Sequence, residues 1–270
     1  MHLNVRFSTE AEMKQTLDFL YEKSKEGIAF TGLVEAMVNE VTIVTAIHNI
    51  KSNKGSKTAG VDQAKMDKYL QMPREELIAL IRDSFNNYRP KPARRVYIPK
   101  KNGKLHPLGI PTVLERIIQE CVRIVIEPIC EAKFYPHSYG FRPYRAQKHA
   151  IRDIINVVNS ATRSPDQPVW AVEGDIKGCF DNIDHRILLK KIWRIGIHDK
   201  RVIKMIQQML KAKIPSTESG LVYSKSAIRH TSSFRMPSIN SVLFSSCASA
   251  ARAATGSTYA ARLPASTSIS

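Results

Sequence analysis

Apolar residues recur at three- and four-residue intervals through much of the first half of the chain, the spacing of helices that bury one face. Thr9 and Glu12 form a capping box, and Met13, Leu17, Leu20 and Tyr21 follow at helical spacing until Gly27, which predicts a first amphipathic helix. A second is expected over residues 33–50, with Val34, Met37, Val38, Val41, Val44 and Ile47 on its apolar face. Pro73 suits a helix first turn, and Leu77, Ile81 and Phe85 carry the next stripe to Tyr88. Thr112 and Glu115 make another capping box, opening a long helix that buries Ile117, Ile118, Cys121, Val122, Ile124 and Val125. Pro128 should kink or end it. One more helix is expected over residues 144–159.

Between these stripes the texture changes. Residues 51–62 are polar, basic and glycine-containing, and read as a mobile loop that is either simply solvated or in contact with phosphate. Residues 94–98 and 104–110 are short β-prone pieces joined around Asn102 and Gly103, the pair that supplies both positive-φ residues of a tight hairpin turn. Arg94, Arg95, Lys100, Lys101 and Lys104 make this hairpin a cationic finger. Nucleic-acid contact explains them, and so does the use of lysine to keep an exposed strand edge unpaired. Further on, residues 169–176 predict a strand that delivers Asp175 at its end, and Asp184 should cap the helix that follows.

Composition sharpens this picture. At 270 residues and 43% hydrophobic the chain can bury a sizeable core. Its 41 Lys+Arg against 24 Asp+Glu give a net charge of +17, which favours a polyanionic partner such as RNA or DNA. An anionic membrane surface is the competitor, but no apolar run reaches the roughly eighteen residues needed to span one. A soluble, cytoplasmic chain is therefore expected. Cys121, Cys130, Cys179 and Cys247 are irregularly spaced, which suggests neither a zinc site nor a disulfide framework. Cys121 and Cys130 share a helix too far apart to pair.

The candidate chemistry lies in three aspartates, Asp175, Asp181 and Asp184. Such a group could coordinate Mg²⁺, a hard ion that takes oxygen ligands and keeps waters for substrate phosphates. Asp184 has a simpler role as a helix cap and Asp181 as a turn acid, whereas Asp175 has no evident structural partner in the sequence.

The run DIKGCFDNIDH at 175–185 resembles the first catalytic motif of group II intron reverse transcriptases. The loop at 54–62, the hairpin ending PLGIPT at 107–112, ERIIQ at 115–119 and GFRP at 140–143 resemble that family's finger blocks, in family order. The resemblance covers about residues 20–213. It implies an α+β, right-hand polymerase fold: fingers and a partial palm, mostly helical, with a β-hairpin and an incomplete palm sheet. Residues 1–50 would form an N-terminal helical extension, 51–168 the fingers and 169–213 the first part of the palm. Asp175 would bind the catalytic Mg²⁺ ions with help from the Ile176 carbonyl, and Phe180 would lie under the sugar of the incoming dNTP. Arg94, Lys100 and His106 would face its triphosphate. His106 departs from the family, which usually has arginine there, and a neutral imidazole would hold phosphate less well. The implied partners are template or intron RNA, a DNA primer and dNTP.

Two-metal phosphoryl transfer needs further carboxylates, which in this family come from an adjacent Asp-Asp pair. The sequence contains no such pair, nor the Gln-Gly-Gly block expected before it. Residues 214–270 turn Ser- and Ala-rich without sustained periodicity, the expectation for a disordered tail left by a frameshift or insertion. Three readings follow: a reverse transcriptase fragment inactive alone, an RNA-binding maturase module without catalysis, or a translated pseudogene product with neither property.

Overall fold

The computed structural model of the chain describes residues 1–99, 103, 105–161, 173–174 and 182–212. Helix α1 (Glu10–Lys25) starts at the predicted capping box: Thr9 Oγ1 accepts from the Glu12 amide and the Glu12 carboxylate accepts from the Thr9 amide. Met13 and Leu20 are buried, and the chain leaves the helix through Gly27 at φ +89°.

The helix expected over residues 33–50 is two helices, α2 (Leu33–Met37) and α3 (Glu40–Ser52). Asn39 separates them: its backbone is extended, its Oδ1 accepts from the Val41 amide, and its Nδ2 donates to the Phe7 carbonyl. Apolar spacing alone runs straight through such a cap, because it carries no information about the polar residue between the stripes. The break also changes which residues face inward. Ile43, Ala46 and Ile50 are buried, whereas Val44, expected on the apolar face, is exposed.

A 3₁₀ turn (Lys54–Lys57) and the short α4 (Met66–Leu70) lead to α5 (Arg74–Asn86), which begins one residue after Pro73. Strands β1 (Arg94–Pro99) and β2 (Leu105–Ile110) then pair antiparallel, with Arg94 opposite Ile110 and Ile98 opposite His106. Gly103 has the positive φ, +75°, expected of the turn; its neighbours Lys100 to Asn102 and Lys104 lie outside the described residues.

Helix α6 (Val113–Glu131) is the centre of the fold, with α1, α2, α3 and α5 packed around it. It opens at Thr112, whose Oγ1 accepts from the Glu115 amide. The reciprocal half of the predicted box is replaced, since the Glu115 carboxylate accepts from Tyr88. Pro128 does not end the helix. In the last turn proline removes one amide donor, while Ile129 and Cys130 beyond it are completely buried and Ser24 Oγ donates to the Ile129 carbonyl at 3.0 Å. Each such buried aliphatic side chain contributes about 1.5–3 kcal/mol, enough to outweigh one lost hydrogen bond. Cys121 and Cys130 are free and buried on this helix, as expected, and burial pushes both thiols well up.

Helix α7 (Gln147–Ala161) follows, then α8 (His185–Ile195), capped by Asp184 as predicted, and α9 (Lys200–Leu210). The start of the chain and the α8–α9 pair share one core. Phe30 donates to Gly196 and accepts from His198 through the backbone, and Phe30, Leu33, Ile197, Val202 and Ile206 are fully buried. Residues 169–172, 175–176 and 214–270, for which a strand end and a tail were expected, lie outside the described residues. Among the described residues, no helix is long and apolar enough to cross a membrane.

Candidate nucleic-acid interface

The root of the hairpin, the basic loop before α4 and the first turn of α6 are tied together by arginines of the hairpin and α6 that bond the loop's backbone. Arg94, the first residue of β1, donates from Nε to the Ala59 carbonyl at 3.0 Å. Arg116, on α6, donates to the carbonyls of Gly55, at 2.9 Å, and Thr58. Gly60 lies so close to α6 that a Cβ there would come within 2.6 Å of Thr112 Cα. The stretch expected as a loop contains a 3₁₀ turn, and the carbonyls of Gly55, Thr58 and Ala59 in it accept from buried Arg116 and half-buried Arg94.

The underside of this assembly is equally defined. Lys91 pairs with Asp62 at 3.7 Å, and Tyr88 donates to Glu115 at 2.6 Å. Burial raises the Glu115 carboxyl, with the Tyr88 hydroxyl and the Lys91 amide pulling it back. In the same segments Lys51, Lys57, Arg89 and Lys91 are exposed, and Arg94 and Arg95 are half-buried. Loop carbonyls are thus engaged by Arg94 and Arg116 while four other cations stay exposed, a combination compatible with contact to a nucleic-acid backbone.

Of the residues predicted for the site, Arg94 sits at the hairpin root with its Nε committed to Ala59. The His106 position pairs with Ile98, nearer the tip. Lys100, Asp175, Ile176 and Phe180 lie outside the described residues, as does Asp181. Asp184 is a helix cap, accepting from the amides of Arg186 and Ile187, which together hold its carboxyl low. Among the described residues no group of three His, Cys, Asp or Glu side chains could hold a metal ion.

The GFRP block has a structural centre. Arg142, with its side chain only 5% exposed, pairs with Glu131 and donates to the carbonyls of Tyr135 and Ser138, with its guanidinium 5.2 Å from the Phe134 ring centroid. It shapes the loop, with most of its donors committed to Glu131 and two loop carbonyls. Beside it runs a cleft of 850 Å³ between α1, α6 and residues 139–153. Glu127, Glu131 and Asp153 line it together with Arg123, Arg145 and Arg152, a mixture of signs that favours no polyanion.

Sequence reading missed Arg116, Tyr88 and Gly60. For Arg116 a signal was present: an arginine in the first turn of a helix stands where the helix dipole disfavours a cation. Tyr88 and Gly60 gave no comparable sign, since their partners are distant in the chain.

Residues 98–246 match the family described as "Reverse transcriptase (RNA-dependent DNA polymerase)", a match that runs on past residue 213, where the resemblance read from the sequence ends. Protein YkfC of Escherichia coli K12 is 41% identical over 168 residues, covering 60% of this chain and 42% of that protein. The group II intron-encoded protein LtrA of Lactococcus lactis subsp. cremoris is 39% identical over 199 residues, covering 73% of this chain and 32% of that protein. The chain therefore spans less than half the length of these curated relatives. Among solved structures, a partial Cas6-RT-Cas1–Cas2 complex aligns with 82% of this chain and 35% of its own, at TM-score 0.46 and 15% identity.

Proposed function

The chain belongs to the reverse transcriptase family, among its group II intron-type members, and from that premise we propose that its basic loop and hairpin bind RNA as the fingers of an RNA-directed DNA polymerase. The observation that supports this reading is the junction of loop, hairpin root and α6, tied by Arg94 and Arg116, with Lys51, Lys57, Arg89 and Lys91 exposed along the same stretch of chain. The proposed partners are intron or template RNA, a DNA primer and dNTP, and the proposed location is the cytoplasm. Asp175 and the Ile176 carbonyl are the proposed ligands for Mg²⁺, which in two-metal transfer neutralises charge on the reacting phosphates. Phe180 is the proposed support for the sugar, and Arg94, Lys100 and His106 the proposed contacts to the triphosphate. The chain carries no Asp-Asp pair, so the proposal includes no primer extension by this chain alone.

A second reading, an RNA-binding maturase module without catalysis, is favoured by that same missing pair. Two assays separate them. RNA affinity should fall at least about tenfold between roughly 50 and 200 mM salt, because phosphate contacts release counterions. Asp175→Asn should leave that binding unchanged. Primer extension with Mg²⁺ by this chain alone that disappears in Asp175→Asn would overturn both the maturase-only reading and the exclusion of primer extension; RNA affinity indifferent to salt would overturn RNA binding in both readings.

A further inference from the structure

Arg116 is 2% exposed and stands in the first turn of α6, against both burial and the helix dipole. A cation so placed needs partners, and they come chiefly from one segment. Its terminal nitrogens donate to the carbonyls of Gly55 and Thr58, and its Nε reaches the Thr112 carbonyl at 3.4 Å. The Ala59 carbonyl is taken by Arg94 at 3.0 Å, and Gly60 closes the seam against Thr112. Three carbonyls of the basic loop thus meet two arginines, while Lys57 is exposed. Burial lowers the guanidinium to about 10, with Asp62 opposing, so the group is charged at neutral pH.

We infer that Arg116 is a positioning residue: by drawing the Gly55 and Thr58 carbonyls inward, it fixes the turn at Lys54–Lys57 beside the hairpin root, so that both present one cationic face to an RNA backbone. The inference rests on the reading of loop and hairpin as an RNA-binding surface. Lysine does not reproduce this contact, because its donors radiate from one nitrogen whereas arginine reaches Thr112, Gly55 and Thr58 from three nitrogens of a planar fork. A loop released from α6 would keep its lysines but lose the ordering that brings them to phosphate together with the hairpin.

The test is a mutant cycle on the full chain, with a labelled RNA hairpin as probe and the dissociation constant followed over a salt series. Arg116→Lys preserves net charge, whereas Lys54→Ala/Lys57→Ala removes the charges of the turn. Each should lower the slope of log Kd against log salt by about 1 to 2. Combined, they should lower it no further than either alone, because both act through the same contacts. A variant that is merely less stable shifts Kd by the folded fraction and leaves the slope alone. Slopes that add, or an Arg116→Lys slope equal to that of the unaltered chain, overturn the inference.

Should Arg116→Lys not fold, Gly60→Ala decides, since it forces the loop from Thr112 by another route and should show the same loss of slope. A normal slope in folded Gly60→Ala overturns the inference too. If the unaltered chain shows no salt-dependent binding, the RNA-binding reading itself fails, and the role of Arg116 falls with it before any variant is compared.

Discussion

The Tyr88 hydroxyl donates to the Glu115 carboxylate across 2.6 Å with both side chains buried, joining the end of α5 to the first turn of α6. Glu115 accepts in addition from the Lys91 amide, so the pair also fixes the chain as it enters β1. An interior contact is therefore what aims the hairpin.

Tyr88→Phe leaves that carboxylate short of a donor and should cost about 1–3 kcal/mol at neutral pH. Burial raises the folded pKa of Glu115 above its ordinary 4.5. Stability linked to this group is thus fully present below 4.5 and is lost as pH rises through the raised folded value. Removing the Tyr88 donor raises that value further. The deficit of Tyr88→Phe in urea unfolding should therefore be largest near neutrality and shrink toward pH 4.5, and a deficit constant with pH would contradict this account.

Arg142→Ala should cost about 3–5 kcal/mol, because it removes the partner of the largely buried Glu131 carboxylate and the donor to two loop carbonyls. Guanidinium unfolding measures this directly. A loss under about 1 kcal/mol would mean that the GFRP arginine is not the loop's structural centre.

Elements set by local signals were legible in the sequence: the α1 capping box, the hairpin, the Asp184 cap and the buried stripe of α6 all formed where spacing and cap residues placed them. Signals that depend on partners far along the chain were not. The break at Asn39 is stabilised by Phe7, thirty-two positions away, and the seating of the basic loop depends on Arg116, some sixty positions away. Periodicity counts apolar residues and is blind to such polar contacts. Of the candidate site, the hairpin and the basic loop could be read from local residues, but the buried residues that hold them together could not.

Asp199→Asn should flatten the acid limb of unfolding. Burial opposes the charge of Asp199, but hydrogen bonds from Arg201 and from the Leu33 amide outweigh it and lower the carboxyl below 3.8. The stability it contributes is complete above 3.8 and lost as pH falls through the lowered folded value. Thermal melts between about pH 2 and 5 should show a shallower fall for the variant than for the unaltered chain. Parallel curves would show that Asp199 is no such contributor.

Ile154 and Val157 on α7 are 63% and 66% exposed, so Ile154→Ser/Val157→Ser should change stability by no more than about 1 kcal/mol. The same change should reduce self-association in sedimentation velocity, because it removes an exposed apolar face. A loss above about 2 kcal/mol would show that this face is covered in the folded chain.

The central claim, that the cationic fingers grip an RNA backbone, is tested most directly by the salt dependence of RNA binding in Lys100→Ala/Lys101→Ala/Lys104→Ala. The account predicts that the slope of log Kd against log salt falls by about 2 to 3 relative to the unaltered chain, one increment per lost phosphate contact. Indistinguishable slopes for the two proteins would contradict it.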